Sequence, residues 1–263
     1  MTRIAFLTDL HFGYHRMALV ARLLARINAA APDLVVIGGD LTQRARPHEF
    51  AQARAFLDGL QAPWLSVPGN HDIPLLNLPA RLLRPFARYR RAIADQPAPM
   101  ADVGPLRVIG VNTADPWAWQ RGTLPAREVD RIAADIRARP EAIAVLVLHH
   151  PLHNPPGVDK APVPGGAQAL TALADAGAQV LLSGHIHRWW AGTTPDSEGL
   201  LQLHGGTALC ARASDLRSEY VTLDFEGDGV ALTRHLAPMG RHGFSSGPPQ
   251  IWQRGDSGWQ QRA

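Results

Sequence analysis

Short runs of apolar residues alternate along the chain with longer stretches whose apolar positions recur at helical spacing. Residues 3–8, 34–37, 64–67, 106–111, 143–148 and 179–182 read as strands. Between them, residues 17–30, 47–60, 79–94, 125–139 and 167–176 read as helices. Pro125 stands near the start of one helix and Pro140 just past its end, and Gly177 stops another. Beyond residue 182 the pattern is strand only: residues 200–204, 220–225 and 230–235, with a hairpin signal at Glu226-Gly227-Asp228-Gly229. Alternating strands and helices imply an α/β fold with a parallel sheet covered by helices. The later strands either extend that sheet or form a second one against it. Residues 1–237 then make up one folded domain. Residues 238–263, rich in Gly, Ser, Pro and Gln, are either a disordered tail or an arm pinned by Trp252 and Trp259.

Composition narrows the class. With 263 residues, 46% of them hydrophobic and 19% charged, the chain has ample material for a core, which excludes disorder as its main state. The pI is 9.6, yet the net charge is only +3, and the cations are arginines scattered along helices, Lys160 being the sole lysine. Strong general nucleic-acid binding, which wants a basic stripe or tail, is not expected. No apolar run approaches the ~18–20 residues of a membrane span. The N-terminus moves directly into a strand without the apolar segment of a signal peptide, so a cytoplasmic location is expected. Cys210 is the one cysteine, which excludes an intramolecular disulfide framework and a cysteine-rich zinc site.

The informative feature is where the metal-capable residues fall. Asp9-Leu10-His11 follows the first strand, Gly38-Gly39-Asp40 the second, and Gly69-Asn70-His71-Asp72 the third. His149-His150-Pro151 and Gly184-His185-Ile186-His187 each follow a later strand. In an open α/β sheet the carboxyl ends of the strands form the ligand crevice, so these clusters converge on one edge. Residues two apart in extended chain share a side, which pairs Asp9 with His11 and His185 with His187. Gly39, Gly69 and Gly184 sit where backbone must turn sharply or approach closely. Taken singly, each cluster has a plain structural reading: Gly-Asp as a turn or cap, Gly-Asn-His as turn chemistry, His-His as interior histidine. Their joint occurrence, each after a strand, points instead to a shared site. Carboxylate, imidazole and amide donors without thiolate suit Mn²⁺, Fe or Zn²⁺. Their number exceeds what one tetrahedral ion takes and suits two ions sharing a bridge.

This ordered series resembles the calcineurin-like metallophosphoesterase superfamily over residues 9–187. The stretches Gly39-Asp40-Leu41-Thr42-Gln43 and Val67-Pro68-Gly69-Asn70-His71-Asp72, closed by His149-His150-Pro151, are similar to its bacterial class III cyclic-nucleotide phosphodiesterase branch. The resemblance implies a four-layer α/β/β/α sandwich of two packed mixed sheets, with residues 1–237 as the catalytic domain. It implies Asp9, His11 and His187 on one metal, Asn70, His149 and His185 on the other, and Asp40 as the bridge. It further implies hydrolysis of a small phosphodiester, a 3′,5′-cyclic nucleotide among the options, by a hydroxide held between the ions. His71 is then the candidate acid for the leaving group, with Asp72 orienting its imidazole or capping the turn. Asn70, His71 and His150 are the expected substrate contacts, and the tail is a candidate contact between copies in a homo-oligomer.

Other substrates fit the same motifs: another nucleotide, a phospholipid, a lipid-A precursor or a nucleic acid. A metal-free binding scaffold of the same fold would lack ligands, and none is missing. Outside the motifs, His153 and His204 are expected to be solvated in loops, and Trp189 and Trp190 to pack in a core or interface. Arg44 and Arg46 either contact phosphate or stand in solvent at a helix entry, and Cys210 is expected to be a small buried residue.

Overall fold

The computed structural model describes residues 1–155, 157–194, 197–212, 214–241 and 243–262. Strand β1 (Thr2–Leu7) leads to helix α1 (Met17–Ala30), β2 (Leu34–Ile37) to α2 (Pro47–Asp58), and β3 (Trp64–Ser66) to two short helices, α3 (Leu78–Leu83) and α4 (Ala87–Ala92). A hairpin of β4 (Met100–Val103) and β5 (Leu106–Val111) is followed by α5 (Ala126–Arg137), β6 (Ile143–Leu148), α6 (Gly166–Asp175) and β7 (Ala178–Ser183). The remainder is strand: β8 (Trp190–Gly192), β9 (Leu201–His204), β10 (Arg217–Glu226), β11 (Gly229–Pro238), β12 (Ser245–Ser246), β13 (Gln250–Gly255) and β14 (Gly258–Gln261). The single helix expected over residues 79–94 is two, because Pro85 has no N–H to donate and pushes Arg84 out of helical backbone (φ −144°).

The strands form two sheets. One runs β14-β13-β11-β10-β1-β2-β3, with β12 beside β11; the other runs β4-β5-β6-β7-β9-β8. In the first, β1, β2 and β3 are parallel and β10 is antiparallel to β1. In the second, β5, β6, β7 and β9 are parallel, with β4 and β8 antiparallel at the edges. The late strands thus do both things the sequence left open: β8 and β9 complete the second sheet, and β10 onward extend the first.

Alternation along each strand builds the layers. Ile4 and Phe6 of β1 meet Val145 and Val147 of β6 in the core between the sheets. Ala5 and Leu7 face the opposite way, onto Leu19, Leu23 and Ile27 of α1 and Phe50, Phe56 and Leu57 of α2. Leu146 and Leu148 pack likewise against Ile132 and Ile136 of α5 and Leu170 and Leu173 of α6. The result is a four-layer α/β/β/α sandwich. In the segment read as tail or arm, Trp252 and Trp259 are only 7% and 6% exposed and belong to the inter-sheet core, and Trp259 Nε1 donates to the carbonyl of Gln179 at 2.9 Å. Residues 242 and 263 of that segment lie outside the described ones. No described helix is long and apolar enough to cross a membrane.

Candidate metal centre

The carboxyl ends of strands from both sheets open on one edge, and all five polar clusters lie there. The loops after β1 and β2 run side by side, with the amides of Asp9, His11 and Phe12 donating to the carbonyls of Gly39, Asp40 and Leu41 at 3.0, 2.9 and 2.8 Å. Asp9, His11, Asp40, His185 and His187 all hold left-handed backbone, with φ between 49° and 70°. Such conformations cost of order 1 kcal/mol or more each for non-glycine residues and persist where surrounding structure enforces them, typically at functional sites. Gly69 and Gly184 allow the close approach: a Cβ at Gly69 would fall 2.1 Å from Asp40 Oδ1, and one at Gly184 would fall 2.0 Å from Thr8 Oγ1.

Asp40 is central. Its Oδ1 accepts the backbone N–H of His71 at 2.9 Å, which turns Oδ2 toward His149 Nε2 at 3.2 Å and His11 Nε2 at 3.7 Å. One carboxylate oxygen therefore stands between two groups of donors. Asp9 Oδ2 accepts from Thr8 Oγ1 and the His185 amide, leaving Oδ1 facing His187 Nε2 at 3.0 Å and His11 Nε2 at 3.5 Å. His11 and His187 bring their Nε2 atoms to 3.2 Å of each other, and the His185 ring lies edge-on to that of His149 and tilted against that of His150.

The donor set fits metal ions. Asp9 Oδ1, Asn70 Oδ1 and His149 Nε2 are buried with no hydrogen-bond partner, although acceptors and ring nitrogens crowd around them. Lone-pair atoms that converge without pairing are costly unless a cation satisfies them. Ligand atoms of Asp9, Asp40 and His149 all lie within 4.8 Å of one another, as do those of His149, His150 and His185. Burial pushes the Asp9 and Asp40 carboxyls up, but the surrounding imidazoles overcome it and hold both well below the usual range. The reciprocal effect raises His149 and His187 to about 9 against their burial. His185 and His150 go the other way, their buried rings being kept neutral. Protons on His149 and His187 here stand between ionised carboxylates, where a bound cation would displace them.

Of the two roles expected for Asp72, its contacts are those of the cap, and the other is not seen. Its oxygens accept from the amides of Gly69, Leu41 and Thr42 and from Thr42 Oγ1, at 2.9–3.2 Å. Asp72 therefore ties the β3 loop to the β2 loop, and the His71 imidazole is held instead by the carbonyl of Gln43, 2.6 Å from Nδ1. His150 is buried beneath Gly122, with Nδ1 3.0 Å from Thr113 Oγ1. His204 is not solvated: it lies buried in β9, its Nδ1 2.8 Å from Ser183 Oγ. Trp189 packs against the inter-sheet core under Arg234, and Trp190 lies against His204 and His153. Arg44 and Arg46 are exposed on a cleft with Gly13, Tyr14 and Gln43.

Three neighbours escaped the sequence reading. Asp215 Oδ2 lies 3.0 Å from His187 Nδ1, and Arg212 Nη2 lies 3.2 Å from His71 Nε2. Lys160 Nζ donates to the His185 carbonyl at 2.8 Å and, with Gln120, Arg121 and His185, lines a cavity of about 160 Å³. Cys210 is buried as expected; its Sγ lies in the group of His11 and His187, but burial pushes its thiol up to about 12, which keeps it protonated and a poor ligand. No motif marked these residues, because their meaning comes from side chains far away in sequence.

Fold and site together define a metallophosphoesterase. The profile of the calcineurin-like phosphoesterase family matches residues 2–189, and the chain belongs to that family. It is a metal-dependent phosphoester hydrolase. It is 25% identical over 242 residues to a probable cyclic nucleotide phosphodiesterase of Synechococcus sp., covering 86% of this chain and 88% of the relative. It is 29% identical over 206 residues to one of Pseudoalteromonas sp., covering 70% and 71%. Among solved structures, a dimetal phosphatase from Danio rerio superposes with a TM-score of 0.65 at 14% identity, covering 93% and 98% of the two chains.

Proposed function

We propose that the protein is a phosphodiesterase using two metal ions, with 3′,5′-cyclic nucleotides as its first candidate substrates. The observation that carries the reading is Asp40 Oδ2, placed between His11 and His149 and able to serve both groups of donors. Asp9, His11 and His187 would hold one ion and Asn70, His149 and His185 the other, with Asp40 shared and Mn or Fe favoured over Zn. When bound, the ions would offset phosphoryl charge and lower the pKa of water from 15.7 toward ~7. Lys160 and Arg121 give the adjoining cavity the charge an anionic ester needs. The choice of a diester rests on the names of the two relatives and on His71, whose ring faces the site beside Arg212. His71 would hand a proton to the departing alkoxide from Nε2, the nitrogen not engaged by Gln43.

The test is Mn²⁺-loaded protein assayed against cyclic nucleotides, linear diesters, monoesters and oligonucleotides. Turnover of diesters is expected; hydrolysis of monoesters alone overturns the diesterase reading. His71→Ala should lower kcat by roughly 10²–10⁴ for alkyl leaving groups and much less for nitrophenyl, which needs little protonation.

A further inference from the structure

Beside the site, a face of the protein carries large apolar side chains with nothing over them. Leu76, Leu83 and Trp117 are 78%, 81% and 76% exposed, and Leu78, Leu82 and Trp119 are also exposed. Two separate segments supply them, and one buried residue locks the segments together. Arg81 donates from Nε to the Pro116 carbonyl at 2.7 Å and from Nη2 to the Ala118 carbonyl at 2.6 Å, and its guanidinium lies 4.8 Å from the Trp119 ring centroid. The patch is thus a built surface held by a buried cation, rather than scattered side chains.

Its charge is one-sided. Residues 73–94 contain five arginines and no Asp or Glu. Arg84, Arg90 and Arg91 are exposed, and Arg44, Arg46 and Arg88 line a cleft with Leu76. The acid nearest the tryptophans, Asp115, is turned into its own loop and accepts the Trp117 amide at 2.8 Å. The patch also shares a rim with the metal centre. The Asn70–Asp72 turn runs directly into it, and the loop after Trp119 reaches Gly122 over His150 and Arg121 beside His185.

We propose that this face docks on an anionic lipid bilayer. Exposed leucines and indoles with arginines and without acids are the composition that inserts shallowly at a headgroup boundary, where indoles sit at the interface and arginines meet lipid phosphates. A second protein would equally want the apolar area, but the exposed Arg84, Arg90 and Arg91, without an acid between them, favour a surface carrying uniform negative charge. Docked in this way, the protein presents the mouth of its site at headgroup level. The proposal does not depend on the phosphodiesterase reading, because it concerns the surface and not the chemistry.

The experiment is co-sedimentation with vesicles of phosphatidylcholine alone and of phosphatidylcholine with about one third phosphatidylglycerol, at low and high salt. Wild-type protein is expected to bind the anionic vesicles, to bind the neutral ones far less, and to weaken as salt rises. Leu83→Ser with Trp117→Ser should cut binding by about tenfold or more while leaving the melting temperature and turnover of a soluble ester unchanged. Arg84→Glu with Arg91→Glu should cut binding to anionic vesicles alone. Absence of binding overturns the proposal, as does binding that the apolar variant retains. Self-association in the absence of vesicles that the apolar variant abolishes would assign the face to a second copy instead.

Discussion

Arg212 Nη2 lies 3.2 Å from Nε2 of His71, on the opposite side of a ring whose Nδ1 lies 2.6 Å from the carbonyl of Gln43. A guanidinium only donates and a carbonyl only accepts, so the two contacts fix the tautomer: the hydrogen is on Nδ1 and the lone pair on Nε2. Nε2 can act as the acid for a leaving group only after Arg212 lets go of it and it takes up a proton, so that the ring is then an imidazolium with a hydrogen on each nitrogen. A phosphoryl anion arriving at the site is a better partner for the guanidinium than a neutral imidazole.

Arg212→Ala is therefore expected to lower kcat/KM by roughly 10- to 100-fold, the value of one hydrogen bond to a charged group. Lysine at this position should restore part of the loss, because charge without the planar fork still attracts the anion. Steady-state kinetics with both variants check it; a loss that lysine does not relieve at all would make Arg212 a packing residue.

Asp215 accepts from His187 Nδ1 at 3.0 Å, which leaves Nε2 free to face Asp9 and the metal position. Carboxylates behind ligating histidines set the tautomer and raise ligand basicity. Asp215→Asn should weaken affinity for the ion assigned to His187 by roughly 10- to 100-fold with the fold intact. Metal titration followed by calorimetry reads it directly, and unchanged affinity would refute it.

Ions that bind only the folded chain stabilise it by mass action, by about 2.7 kcal/mol at a hundred times Kd. Wild-type protein should melt measurably higher with Mn²⁺ than after exhaustive chelation. Asp40→Asn, which removes the shared carboxylate charge, should lose most of that difference. Equal melting temperatures with and without metal in the wild type would contradict the assigned ligands.

Burial pushes the His204 imidazole down to about 3. In the unfolded chain the same ring takes a proton below ~6.5, so between those values only the unfolded state is protonated. The folded state is therefore favoured above ~6.5 and loses about 1.4 kcal/mol per pH unit from this ring as pH falls. His204→Gln should flatten that slope. Urea unfolding of chelated protein at about pH 6 and pH 4.5 decides it, and parallel slopes for variant and wild type would sink the idea.

Much of the site was legible because strand ends and glycines punctuate the chain. Asp9, His11, Asp40, Asn70, His149, His185 and His187 are marked locally, by position after an apolar run, and the structure brings them to one edge. His204 was misjudged because it ends the strand read over residues 200–204, where a local pattern does not tell buried from exposed; its burial comes from β7 and Trp190. For Asp72 adjacency to His71 left two readings open, and the structure takes the cap, because the backbone turn sends its carboxylate to the Gly69 amide and the neighbouring loop.

By itself the sequence determined the alternation of strands and helices, the order of the polar clusters and the kinds of ligand atom they offer, since each is a matter of neighbouring residues. Only the tertiary structure decided how the late strands divide between two sheets and that Trp252 and Trp259 close the core. It also decided that Asp215, Arg212 and Lys160 stand against the metal centre, and that α3 and the Trp117 loop make one exposed face. These are contacts across tens to hundreds of residues. They follow from which apolar surfaces bury one another, and a local pattern of hydrophobic and polar positions does not specify that pairing.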